Sequence, residues 1–116
     1  MNVNPILIKM KDSVGIPVSP DKYEGTSPAY ITFNYADERE GDFADNDNQT
    51  ETVWMQIHLF TPVKNEYSNY LSYKELIRKY LKSNSFFNIS IQTFLETDTN
   101  LRHTVIECQK TEQKEG

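Results

Sequence analysis

Residues 51–60 read ETVWMQIHLF and alternate strictly between the two sides of an extended chain. A period of two places successive side chains on opposite faces of a β-strand. From residue 53 onward one of the two sides is wholly apolar, so the pattern predicts a strand with that face on a hydrophobic core. That side consists of Val53, Met55, Ile57 and Leu59.

A second strand is predicted just upstream, at residues 29–36, where Ile31, Phe33 and Tyr35 alternate with more polar neighbours. We expect it to pair with the strand at 51–60. Residues 37–48, which lie between them, hold six acids, one base and little apolar content. This composition predicts a long, solvated acidic loop, bounded here at residues 37–51.

A short helix is predicted near the N-terminus. Asn4 is a residue type that caps free N–H groups, and Pro5 suits the first helical turn. Gly15 and Pro17 are typical of the end of a helix. The connection that follows, up to residue 28, is rich in Pro, Gly and Ser, and we expect it to be irregular, with a brief extended piece at 16–18.

The main helix is predicted from apolar and aromatic residues that recur every three or four positions up to Leu81. Ser72 and Glu75 match a capping box, so a start near Glu66 and a start at Ser72 both remain open.

Two further strands are predicted at residues 89–96 and 101–108, where the alternation returns on either side of a polar turn. Residues 110–116 carry no apolar side chain and are predicted to form a flexible tail. The order is helix, strand, strand, helix, strand, strand. It predicts a single α+β domain over residues 1–109, with both helices packed on one face of a four-stranded, mostly antiparallel sheet.

Size and charge narrow the function classes. The chain has 116 residues and 13.5 kDa, with 12 Lys and Arg against 17 Asp and Glu and a net charge of −5. A chain of this length usually forms one domain. Its excess of acidic residues disfavours nucleic acid as a partner. The sequence shows neither a signal peptide nor an apolar run long enough for a membrane span, and no membrane association is predicted.

Catalysis is not predicted. Cys108 beside His58 or His103 is the only arrangement that suggests a thiolate nucleophile, but a lone thiol on a strand is more typical of inert packing. No phosphate-binding glycine loop, nucleophile elbow or zinc-protease motif is present. We therefore predict no catalytic residue and no cofactor.

A divalent-ion site in the acidic loop is the sharper alternative. Four oxygen-bearing side chains fall at odd offsets, as ligands of a hard cation do. The EF-hand pattern nevertheless fails, because Thr50 occupies the glycine position and Gln56 the position of the bidentate glutamate. No metal site is predicted, and an acidic ion-binding module stays an alternative through Asp45, Asp47, Gln49 and Glu51.

Surface character instead predicts an interaction module. Aromatic side chains are enriched at protein interfaces, and a four-stranded sheet leaves two open edges. One contact surface is expected on the helix from Tyr67 to Tyr80, another at a sheet edge, and the acidic loop is expected to reach a partner. The candidate interface residues are Asp37, Glu38, Asp42, Phe43, Asp45 and Asn46 in the loop, with Trp54, Tyr67, Tyr70 and Tyr73 outside it.

Several segments, taken in order, resemble tail completion proteins of long-tailed bacteriophages and prophages, also called tail-to-head joining or tail terminator proteins. They are YITFNY at 30–35, FADN at 43–46, QIHLFTP at 56–62 and the E-x-D-T turn at 96–99. The similarity extends over residues 1–109.

This resemblance implies a structural α+β subunit of the virion without catalytic activity. It implies a ring, expected to be a hexamer, at the head-proximal end of the tail tube, which terminates the tail and joins it to the head. The implied partners are other copies of the chain, the tail tube protein and the head connector or stopper protein. The implied location is the tail or neck of a particle assembled in the cytoplasm of the bacterial host. A head-completion or adaptor protein of the neck is the nearest alternative.

Overall fold

The computed structural model describes residues 1–42, 48–63 and 67–115. Within them the chain forms two helices and one five-stranded sheet. The elements are α1 (Asn4–Val14), β1 (Val18–Pro20), β2 (Tyr30–Asp42), β3 (Asn48–Pro62), α2 (Tyr67–Ser83), β4 (Phe87–Glu96) and β5 (Leu101–Glu115).

The strands lie in the order β1-β2-β3-β5-β4, and every pair is antiparallel except β1 with β2. The predicted α+β class is confirmed, but the predicted four strands are five. The additional strand is β1, which pairs in parallel with residues 31–33 of β2. Three residues that end in a proline carry too little periodicity to predict such a pairing.

Helix α1 ends as its sequence predicts, at Gly15, whose φ of 84° is left-handed and whose N–H donates to the Lys11 carbonyl. Its start differs from the prediction by one position. Val3 precedes the helix without a side-chain cap, and Asn4 is its first residue. Pro5 supplies the favourable first turn, and a capping side chain is not required there.

The core lies between the helices and one face of the sheet. Buried strand residues occupy alternate positions, and they form one cluster with the buried residues of both helices. The Tyr80 hydroxyl of α2 donates to the Ile6 carbonyl of α1 at 2.5 Å, which ties the helices together. The fully buried large side chains include Leu7, Met10, Phe33, Met55, Ile57, Leu59, Ile77, Leu81 and Ile106. The opposite face of the sheet, called the open face below, carries no described helix.

The predicted acidic loop is largely β-sheet. Residues 37–42 of β2 pair with 49–54 of β3 beyond a register shift at Ala36, and only 43–47 lie outside the described residues. The predicted flexible tail is also wrong for 110–115, which belong to β5 and pair with 48–53 of β3. Residues 37–42 and 111–115 carry no apolar side chain, and their backbone pairing with β3 holds them in the sheet.

We call the part of the sheet formed by residues 37–42, 48–52 and 111–115 the arm. It extends the molecule to 57 Å along its longest axis, against 26 Å and 24 Å along the others. Within the arm, the Thr52 hydroxyl of β3 and the Thr111 hydroxyl of β5 are 2.8 Å apart.

Helix α2 is described from Tyr67, so Ser72 lies inside the helix and the later of the two predicted starts is wrong. Among the described residues, neither helix combines the length and apolar character that a membrane span requires.

Candidate functional site

The predicted interface residues fall in three different environments. Asp37 and Glu38 are exposed on the arm, and Trp54 is half-buried at its base. Asp37 accepts a hydrogen bond from Arg39 at 3.0 Å, and the Arg39 guanidinium lies 5.3 Å from the centre of the Trp54 ring. Asp37, Arg39 and Trp54 therefore form a polar and aromatic cluster on the open face.

Other members of the predicted set cannot be placed. Phe43, Asp45 and Asn46 lie outside the described residues, and the side chains of Asp42 and Tyr67 are not described. Their interface role stays a prediction.

Tyr70 is a core residue and not the surface residue that the sequence suggested. It is 6% exposed, its hydroxyl lies 2.6 Å from the Thr93 hydroxyl of β4, and its ring lies between Arg102 and Lys74. Tyr73 is half-buried and packs on the core cluster. These tyrosines fix α2 to the sheet, because a tyrosine ring combines apolar contact with one hydrogen bond.

The open face carries a row of stacked rings that the sequence pattern did not reveal. Tyr23 stacks on Tyr30 at 4.6 Å between ring centres, Tyr30 on Phe60 at 4.9 Å, and Phe60 on His103 at 4.3 Å. Burial, followed by the nearby Glu96 and Tyr23, raises the pKa of Tyr30. The row crosses from the 21–29 connection through β2 and β3 to β5.

A hydrogen-bonded line of side chains runs beside this row across four strands. Asn34 Oδ1 lies 2.9 Å from His58 Nε2, His58 Nδ1 lies 2.8 Å from His103 Nε2, and His103 Nδ1 lies 3.4 Å from Glu96. Asn34 donates its amide N–H to Gln56, so its oxygen accepts from His58 Nε2. His58 Nδ1 faces His103 Nε2, and in the neutral form of His58 this nitrogen is the acceptor.

Burial, followed by the neighbouring His103, lowers the pKa of His58 from its ordinary value, which favours this neutral ring. Both effects disfavour a second proton on His58.

A shallow cavity of about 710 Å³ lies on the same face at the base of the arm. Its polar and aromatic lining includes Arg39, Trp54, Ser90, Glu107 and Gln109. The register places Trp54 opposite Gln109 of β5, which brings the two sides of the cavity together.

Strand β4 is an unusual edge. It has no Lys, Arg or Pro, the residues that usually blunt an exposed strand edge, and no described strand covers its outer side. Phe87, Phe94 and Leu95 are 42%, 51% and 63% exposed. Apolar residues exposed on an unpaired edge are typical of an interaction site.

The two residues that the alternative hypotheses depend on are buried. Cys108 is 2% exposed, and burial raises the pKa of its thiol to about 12, which opposes formation of the thiolate. Glu51 lies in the interior with its carboxylate against the amino group of Met1. Within residues 1–42, 48–63 and 67–115, no group of three or more His, Cys, Asp and Glu side chains is arranged to hold a metal ion.

No family model matches the sequence, and no curated protein matches it. The fold is similar to a chain in a solved structure described as "Virion of native gene transfer agent (GTA) particle", with a TM-score of 0.53 and 12% sequence identity. The match covers 90% of this chain and 84% of that one, so the two chains share a fold over nearly their whole lengths.

Proposed function

We propose that this protein is a structural subunit of a phage-like particle. In the finer form of the proposal, it forms a ring at the head-proximal end of the tail tube, terminates the tail and joins it to the head connector. The observation that carries the proposal is the shared fold with a chain of a gene transfer agent virion, which extends over 90% of the molecule. A structural role requires no catalytic centre.

The exposed surfaces support an assembly role. The β4 edge offers exposed apolar side chains, and no described strand pairs along its outer side, while the arm lies outside the core cluster. A closed ring uses heterologous contacts, so each subunit needs two different complementary surfaces. The β2 edge of the arm lies toward one edge of the sheet, and β4, with α2 packed against it, lies at the other, so the subunit offers two different surfaces.

A position in the neck as a head-completion or adaptor protein is the second form of the same role, and the experiment below separates the two forms. The acidic ion-binding alternative loses one of its four ligands, because the carboxylate of Glu51 is buried against the Met1 amino group.

The test is deletion of the gene from its source genome, followed by induction of particles and negative-stain electron microscopy. We expect DNA-filled heads beside detached tails whose tubes have abnormal lengths or ragged ends. A plasmid copy of the gene should restore joined particles, which controls for effects on neighbouring genes.

Two other outcomes would count against the proposal. Filled heads beside detached tails of normal length and finish would overturn the tail-terminating role in favour of a neck adaptor. Normally joined particles would overturn both forms of the proposal.

A further inference from the structure

Opposite charges are segregated to opposite sides of the molecule. Residues 37–42 of β2 contain four acids and one base, whereas α2 contains four bases and one acid. β2 lies toward one side of the sheet next to β1, and α2 packs against β4 at the other edge. The acidic and basic surfaces therefore belong to different sides of one subunit.

The acidic side is an accessible strand edge. β1 covers only residues 31–33 of β2, and no described strand pairs on the outer side of β2 beyond them. Glu38 and Glu40 are exposed. Their register partners, Val53 and Glu51, belong to the alternate positions that face the helix side. Both carboxylates thus lie on the helix side of the arm.

The basic side is an unpartnered helix face. Lys79 and Lys82 are exposed, and Leu71 and Leu76 of the same helix are 39% and 36% exposed. Glu75 is also exposed among them, and Arg78 pairs with it at 3.3 Å, so Lys79 and Lys82 supply the positive charge of this face. Exposed leucines beside lysines suit a partner that has both carboxylates and aliphatic side-chain stems. The exposed Leu95 lies at the β4 edge, on the strand against which α2 packs.

We propose that the outer face of α2 is the docking site for the acidic arm of a second copy of this chain. Because the two surfaces differ and lie on opposite sides, the contact is heterologous, and repeating it generates a closed ring or a helical row. The inference gives the proposed ring its intersubunit contact and rests on that function for its biological setting. The contact itself is testable without the particle.

The first measurement uses purified full-length chain, half of it isotopically heavy, treated at graded concentrations with a carbodiimide that couples carboxylates to amines. We expect heavy–light cross-linked peptides that join Glu38 or Glu40 to Lys79 or Lys82. Cross-links confined to single copies, or heavy–light links only between other segments, would overturn the inference.

The second measurement reverses the charges. We expect Glu38→Lys with Glu40→Lys to weaken self-association about tenfold or more in sedimentation, and Lys79→Glu with Lys82→Glu to do the same, because each leaves like charges opposed. The matched control is Asp21→Lys with Glu24→Lys, which makes the same charge change as the arm reversal at exposed residues away from the arm, α2 and β4 and should leave association intact.

An equal mixture of the arm-reversed and helix-reversed chains provides the decisive comparison. In the mixture, every arm again finds a helix of opposite charge, so association should return even though each chain fails alone. No recovery in the mixture would overturn the inference. Thermal unfolding of each variant confirms that it is folded, which separates lost contact from lost structure.

The outcome is independent of the gene deletion. Recovery in the mixture together with normal particles from the deletion strain would retain the contact and reject the proposed function. A tail defect without inter-copy cross-links would do the reverse.

Discussion

Among individual residues, His58 shows how a β-sheet changes the chemistry of a side chain. Its neighbours in the line across the sheet are Asn34, His103 and, beyond His103, Glu96. Burial, followed by the neighbouring His103, disfavours a second proton on His58, and the neutral ring can donate through Nε2 and accept through Nδ1. The fold therefore favours the neutral form.

This preference predicts a pH dependence of stability. The folded-state pKa of His58 is lowered, so the unfolded chain binds the proton more readily. The free energy of unfolding should then fall as the pH drops below about 7, through the ordinary histidine range and toward the lowered pKa. In His58→Gln, urea unfolding measured at about pH 7 and at lower pH should show a smaller decrease in the free energy of unfolding on acidification than wild type shows.

His103→Gln is the informative companion, because His103 is the second cause that lowers the His58 pKa. Its decrease in the free energy of unfolding on acidification should lie between those of wild type and His58→Gln. Identical slopes in all three proteins would mean that carboxylates elsewhere account for the pH dependence.

At the scale of the elements, strand faces and helices could be predicted from sequence because a hydrophobic core imposes its period on them. Val53, Met55, Ile57 and Leu59 are all buried on one side, as their alternation indicates. The arm could not be predicted this way, since none of its residues belongs to the hydrophobic core cluster and its strands are held by backbone pairing that polar side chains do not reveal.

The candidate site was harder to predict than the fold. His58 and Phe60 belong to β3, which precedes α2 in the sequence, whereas their neighbour His103 belongs to β5, which follows α2. Their contact therefore depends on the β3–β5 register. Periodicity assigns a residue to a face but does not set the register between two strands separated by a helix. Tyr70 was misplaced for a related reason, because helical spacing does not show which tyrosine meets Thr93 and Arg102.

The arm leads to a prediction for β5. A chain that stops after Lys110 loses the strand that pairs with residues 48–52 of β3. Because the core cluster lies entirely outside the arm, we expect a small drop in Tm. We also expect loss of amide exchange protection at the alternate residues of 49–52 that bond to β5, while those that bond to β2 lose less. Hydrogen exchange with mass spectrometry measures both regions in one experiment.

Removal of Gly116 alone is the control for this truncation and should leave the exchange pattern unchanged. Full protection of 49–52 in the longer truncation would contradict the role assigned to β5.

At the scale of the whole molecule, the β4 edge is a further candidate contact surface besides the arm and the outer face of α2, because Phe87, Phe94 and Leu95 are exposed there. Leu95→Lys places a charge on the most exposed apolar side chain of that edge. We expect self-association, measured by sedimentation at graded concentrations, to weaken about tenfold, because a lysine at a strand edge disfavours contact with another chain. Its Tm should change little, since the side chain is 63% exposed.

Thr26→Lys adds the same charge at an exposed position of the 21–29 connection and should associate like wild type. Equal association of the Leu95 and Thr26 variants would show that the β4 edge is not a contact surface.

The central position of β3 has a consequence for how the chain reaches this fold. β3 forms a hairpin with β2, its immediate predecessor, but its other edge pairs with β5, so that Pro62 meets Leu101 and Asn48 meets Glu115. Such distant pairing is slow, because the entropy of closing a long segment is lost before the contacts form. During synthesis, Ile57 and Leu59 lie on a strand with one bare edge until the last strand has left the ribosome. The nascent chain is therefore most vulnerable to aggregation in the interval between β3 and β5.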